Sequence, residues 1–188
     1  MRYCGSFVVV AILFVLLVSF SKNSSNASGL GQKKRSFLPK NVVEASNRFG
    51  MNLYNVIVVQ DKDQNVVISP FSISLALMMA ANGAAGKTLT EMQKVLQISD
   101  ISLEKINPTV EKLMTELVKL DPGLSLKIGN SIWFRDDFQF KKTFFEQVKK
   151  YYHAELAAMN FDDPASLEQI NSWISNATNN KITSIIDR

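Results

Sequence analysis

The sequence holds a single cysteine, Cys4, and a single histidine, His153. From that pair no disulfide framework, zinc site or Cys/His catalytic dyad can be assembled. Acidic residues are missing from the beginning, since none precedes Glu44. Arg2, Lys22, Lys33, Lys34 and Arg35 therefore account for the formal charge of +4, and the remainder carries 16 basic against 17 acidic residues. A polyanion partner is not implied, and nucleic acid is not expected. Glycine-rich phosphate loops are lacking too: GAAGKT, ending at Thr88, has one glycine pair and not the spacing of a P-loop, so Lys87 reads as a solvated loop residue. A lone imidazole supplies no argument for a Ser-His-Asp set. The acid pairs Asp136/Asp137 and Asp162/Asp163 fall at turns and helix starts, where capping accounts for them. No enzyme, metal or cofactor is expected. What remains is a chain of 188 residues, 46% of them hydrophobic, a globular proportion with room for one or two domains.

Tyr3 to Ser21 is uncharged, with the apolar centre VVVAILFVLL and small residues at Ser19 and Ser21. Residues 1–21 read as a secretory signal, and secretion to the extracellular space follows. An uncleaved anchor is the alternative, and a membrane is a partner only in that case. Residues 22–40, KNSSNASGLGQKKRSFLPK, are small and polar without an apolar period and read as a flexible linker. Glycosylation acceptors stand at Asn23, Asn26 and Asn176. Lys33, Lys34 and Arg35 read as a linker charge cluster, with anionic glycans or dibasic processing as the sharper alternatives.

Beyond the linker, Phe49, Leu53, Val56 and Ile57 have helical spacing up to about Val59. Ser69 and Pro70 have the chemistry of an N-cap and first helical residue. The helix they open, FSISLALMMAANGA, carries no charge and is expected to be surrounded by other elements. Gly83 and Gly86 break the chain, and Thr88 with Glu91 has capping-box spacing. Another helix is expected from Asn107 and Pro108, with Val110, Leu113, Met114, Leu117 and Leu120 inside. Lys105, Lys112 and Lys119 recur at sevens on one face, a weak candidate for a sulfated glycan that Glu104, Glu111 and Glu116 dilute. Asp121-Pro122-Gly123 then turns into LSLKIGNSIWF. Leu124, Leu126, Ile128, Ile132 and Phe134 alternate there with Ser125, Lys127, Gly129 and Ser131, which predicts a long strand with one buried face. Thr143 and Glu146 repeat the capping-box spacing ahead of Phe144, Phe145, Val148 and Tyr152, and His153 reads as a helix-end or surface residue. AELAAMNF predicts a second strand. Asp163 and Pro164 start a last helix with Leu167, Ile170, Trp173 and Ala177 inward.

These segments carry a resemblance to the serpin family. Asn65, Ser69, Pro70 and Ser72 match its NxxxSPxS pattern ahead of a buried helix, and Gly83, Ala84, Gly86 and Thr88 match the GAxGxT continuation. Asn171, Trp173, Thr178 and Lys181 match the helix that lies across the family's central sheet. The resemblance implies an α+β fold, the N-terminal part of a serpin domain over residues 41–188, with several helices packed around strands of a large mixed sheet. It implies that Ser69 and Ser72 lie where the strands of that sheet part, a place suited to small hydroxyls that bond freed backbone groups. It also implies inhibition of serine or cysteine proteases, by a cleaved bait loop that inserts into the sheet as a new strand. Family members are much longer than 188 residues and carry that loop near the C-terminus, so the chain is expected to be a portion lacking the reactive loop. A non-inhibitory carrier or chaperone, and a truncated secreted binding protein, are the alternatives.

Overall fold

The computed structural model describes residues 39–60, 65–119 and 126–187 in full and the backbone of residues 11–20 and 124–125. In chain order the elements are β1 (Ala11–Phe20), α1 (Lys40–Gln60), α2 (Pro70–Gly83), α3 (Gly86–Val95), α4 (Leu103–Val118), β2 (Leu124–Arg135), α5 (Lys142–Tyr152), β3 (Glu155–Met159) and α6 (Pro164–Ala177). The fold is α+β. Its sheet has the order β1-β2-β3, with β2 antiparallel to β1 and parallel to β3. The apolar centre of the segment read as a leader thus contributes β1, which runs along β2 from Ala11 opposite Trp133 to Phe20 opposite Leu124. In doing so it pairs edge groups of β2 that would otherwise lack partners. Asn23, Asn26 and the Lys33–Arg35 cluster lie outside the described residues, as do Leu120 and the Asp121-Pro122-Gly123 turn.

The pleat of β2 divides the molecule. Ile128, Ile132 and Phe134 point into the main core, where Leu75 and Met79 of α2, Ile106 and Met114 of α4, and Val148 and Tyr152 of α5 meet them. The alternation predicts Ser131 on an open face, and here the structure differs. Ser131 and Trp133 are both buried, because α6 covers that side through Ile170 and Trp173. Small residues on a strand leave room for a helix as readily as they face water.

The charge-free helix α2 behaves as expected: no residue from Pro70 to Asn82 is exposed, and Leu75 and Met79 are fully buried. Ser69 caps it and Pro70 is its first residue. Asp163 likewise caps α6, its carboxylate accepting from the Ala165 N–H at 2.9 Å. Neither predicted capping box forms. With α3 beginning at Gly86 and α5 at Lys142, Thr88 and Thr143 fall inside the first turns, and the cap residues Ala85 and Lys141 offer no side-chain bond. At Gly86, φ is +56°, which suits glycine and starts the helix ahead of the threonine. Helix α4 begins at Leu103 and holds Pro108 inside it, a turn earlier than Asn107 and Pro108 suggest. Burial of Ile106 and Asn107 draws that turn into the core and offsets the backbone bond that Pro108 cannot make. Val56, expected on the inner stripe of α1, is 59% exposed, and Met51, Tyr54 and Val59 also face outward.

A buried polar network ties three helices together. The Tyr152 hydroxyl donates to Asn107 Oδ1 at 2.7 Å, and Asn107 Nδ2 donates to Asn82 Oδ1 at 2.8 Å and to Gln147 Oε1 at 3.4 Å. Burial raises the Tyr152 pKa above its ordinary value of 10.0, against a smaller lowering by the Asn82 hydrogen bond. A phenol held neutral in the fold contributes stability that is complete below its unfolded pKa and is lost as pH rises from about 10 towards the higher folded value. Tyr152→Phe is expected to cost about 1–2 kcal/mol at pH 7, since Asn107 Oδ1 loses a donor. The variant should also show a smaller loss of stability above pH 10 than the parent. Urea titrations of both chains at neutral and alkaline pH check this.

Candidate functional site

The first group of candidate residues meets at the start of α2. Ser69 has an extended backbone, φ −112° and ψ 93°, and its Oγ accepts from the Ser72 N–H at 3.3 Å. The two hydroxyls lie 2.6 Å apart, one donating to the other. The Ser69 carbonyl accepts from the Ile73 N–H at 3.2 Å, which closes the first turn. Both serines are half-buried. Each hydroxyl keeps further bonding capacity beyond this pair, so the end of α2 can also serve backbone groups brought against it. Asn65 stands exposed ahead of the cap, outside this cluster. Helix α2 itself lies against β1, α1 and α5.

The second group lies on the other side of the sheet. Trp173 meets Trp133 edge to face, ring centroids 6.1 Å apart at 80°, while the Trp133 indole N–H donates to Ser131 Oγ at 2.9 Å. The helix lies close to Gly129, where an added Cβ would just reach ordinary contact, 3.4 Å from the Trp173 ring and 3.5 Å from the Ala177 methyl. Asn171 holds the segment after α6, accepting from the Ile185 and Ile186 N–H groups at 3.0 and 3.3 Å and donating to the Ile186 carbonyl at 3.0 Å. Thr178 is fully buried and accepts from the Ile182 N–H at 3.0 Å. Lys181 is exposed. Lys127, in the same strand as Gly129, reaches Asn179 Oδ1 at 2.6 Å and anchors the end of α6 to β2. Ser69, Pro70 and Ser72 thus sit at the helix behind the sheet and Asn171, Trp173 and Thr178 on and just after the helix in front, while Asn65 and Lys181 are exposed outside both stations.

Lys105, Lys112 and Lys119 are all exposed along α4, with Glu111 near them and 3.9 Å from His153 Nε2. His153 itself ends α5 with a left-handed backbone, φ 50°, as a helix-end residue. Sequence reasoning missed Asn82, Asn107 and Asn130. Asn130 points to the core side of β2 and donates to the Tyr152 carbonyl at 2.6 Å, while its Oδ1 has no partner among the described residues. The signal was present in each: an amide at an inner position of an otherwise apolar stripe. No cluster of metal-ligating side chains occurs among the described residues.

A family profile described as Serpin (serine protease inhibitor) matches residues 44–188. The chain belongs to the serpin family. Among its relatives, human alpha-1-antichymotrypsin is 30% identical over 87% of this chain and 40% of its own length. Human serpin B9 is 34% identical over 76% of this chain and 38% of its own. The latent form of tengpin, a thermophilic serpin, superposes with a TM-score of 0.73 at 34% identity, covering 80% of this chain and 40% of tengpin. A serpin in a loop C-sheet polymer superposes with a TM-score of 0.69 at 32% identity, covering 87% of this chain and 42% of its own. The chain therefore spans about 40% of the length of the serpins it matches.

Two substitutions separate the stations of this serpin. Ser69→Ala removes the N-cap and should cost about 1 kcal/mol, and a double-mutant cycle with Ser72→Ala should return a coupling of at least about 0.5 kcal/mol across the 2.6 Å contact. Gly129→Leu should cost about 2–3 kcal/mol by forcing Trp173 and α6 off the strand, far more than Gly129→Ala. Denaturant unfolding checks both, with Trp fluorescence reporting the second.

Proposed function

We propose that the whole protein is a secreted inhibitor of serine proteases that works by strand insertion. The observation that carries this reading is the layering around β2. Helix α2, capped by the Ser69–Ser72 hydroxyl pair, lies behind the sheet, and α6 lies across its front. With both faces covered, a further strand joins through main-chain hydrogen bonds to the strand edges exposed where the strands part. In this mechanism a protease cleaves an exposed bait loop and is held as an acyl-enzyme. The freed loop enters the sheet before water can hydrolyse the ester, and the release of stored strain drags and distorts the protease. Ser69 and Ser72 serve the strands where they part, with Asn65 and Pro70 shaping the approach to them. Asn171, Trp173, Thr178 and Lys181 hold and flank the helix over which that rearrangement passes. Residues 1–21 direct the protein out of the cell, and their removal leaves the edge of β2 that residues 11–20 pair to a strand from the rest of the protein; the lysines of α4 offer the face on which a sulfated glycan would bind. The apolar outer side of α1, a groove of about 720 Å³ lined by residues including Met51, Tyr54 and Val67, is where the remainder of the polypeptide packs.

A carrier is the second reading, favoured by the match to rabbit corticosteroid-binding globulin, 30% identical over 78% of this chain. One experiment divides the two. Full-length protein incubated with trypsin-like, chymotrypsin-like and elastase-like proteases should give a complex that survives denaturing electrophoresis. The loop-cleaved form should melt at a higher temperature than the intact form. Clean cleavage with neither complex nor thermal stabilisation would overturn the inhibitor reading and leave the carrier.

A further inference from the structure

The acceptor sequence Asn176-Ala177-Thr178 straddles the end of α6, and the fold separates its two chemical halves. Asn176 is exposed, in line with exposed Gln169 and Ser172 on the outer side of the helix. Its carboxamide makes no hydrogen bond among the described residues. Thr178 is the opposite case, fully buried. Its hydroxyl accepts from the Ile182 N–H at 3.0 Å and lies 3.2 Å from the Ile182 carbonyl and 3.3 Å from that of Ser175, a knot that fastens the chain after α6 to the helix end.

Helical geometry up to Ala177 accounts for the separation. At roughly 100° per residue, side chains at i and i+2 point about 160° apart around the axis, whereas in an extended chain they share one side. An enzyme that reads the amide and the hydroxyl together can therefore engage this tripeptide only before α6 has formed. After folding, the amide is presented to solvent and the hydroxyl is closed off.

We propose that Asn176 carries an N-linked oligosaccharide, transferred while the segment around α6 is unfolded, and that folding then closes the site to further transfer. The inference rests on the secretory reading. In the transfer, a bond forms between Asn176 Nδ2 and the first sugar carbon of a polyprenyl-diphosphate-linked oligosaccharide. The bond from that carbon to the lipid diphosphate breaks, and the amide gives up one proton. The finished glycan stands on the outer side of α6 and leaves the inner side, with Ile170 and Trp173, packed on the sheet. That outer side is thereby kept from protein contacts.

The test uses full-length protein in a secretory host, with residues 1–21 replaced by a leader of established use, so that failure of the native leader is scored separately by comparing it with the replacement. Asn23→Gln and Asn26→Gln are present throughout. Enzymatic deglycosylation followed by peptide mass spectrometry should find Asn176 converted to Asp in most molecules, and no such conversion in controls bearing Asn176→Gln. In a second arm, bacterially made, folded protein and a peptide spanning residues 164–182 are offered to purified oligosaccharyltransferase with lipid-linked oligosaccharide. The peptide should be modified at least about tenfold faster. An unmodified Asn176 under the replacement leader, or equal rates for peptide and folded protein, would overturn the proposal.

Discussion

Burying one long strand on both faces is the constraint from which the rest of this structure follows. β2 sends Ile132 into the main core and turns Trp133 into the smaller cluster with Met159 and Ile170. A strand so enclosed cannot leave its backbone groups to water, so they must be met by neighbours, and β1 and β3 meet them. Twist and register then set where each helix fits. On one side, α2, α4 and α5 gather around the apolar residues of the strand; on the other, the Trp173 ring lies over Gly129. Lys127, on the same side as Gly129, fixes the far end of α6 through Asn179.

Tyr152 is the joint between the helices and the sheet. Its hydroxyl belongs to the network with Asn82 and Asn107, and its carbonyl receives the Asn130 amide from β2 at 2.6 Å. Apolar contacts tolerate sliding, whereas directional buried hydrogen bonds favour one arrangement. The network therefore sets how α2, α4 and α5 sit relative to each other and to the strand. Three asparagines at inner positions, instead of leucines, are what that definition requires.

The same partition separates exchangeable hydrogen bonds from fixed apolar packing. Helices cover both faces of β2, and the start of α2 and the end of α6 carry hydroxyls and amides. The Ser69–Ser72 pair and the Asn171 and Thr178 knots are of that type. They are short-range hydrogen bonds, each modest in net free energy and each replaceable by another partner. The apolar packing behind them includes Leu75, Met79 and Ile132, all fully buried.

The order of elements from α1 to α6, the cap at Ser69, the cap at Asp163, the charge-free helix and the family were legible in the sequence, because each depends on residue type at short spacing. Periodicity, capping chemistry and the SPxS pattern are local properties that survive without knowledge of neighbours. Tertiary structure alone decided the burial of Ser131, the early start of α4 through Pro108, the idle capping boxes at Thr88 and Thr143, and the meeting of Asn82, Asn107 and Tyr152. It also decided that Ala11–Phe20 lies along β2, since an apolar run states its need for burial and not its partner. In each case the outcome depends on which distant surface arrives opposite a residue, and that is a property of packing that no local pattern encodes.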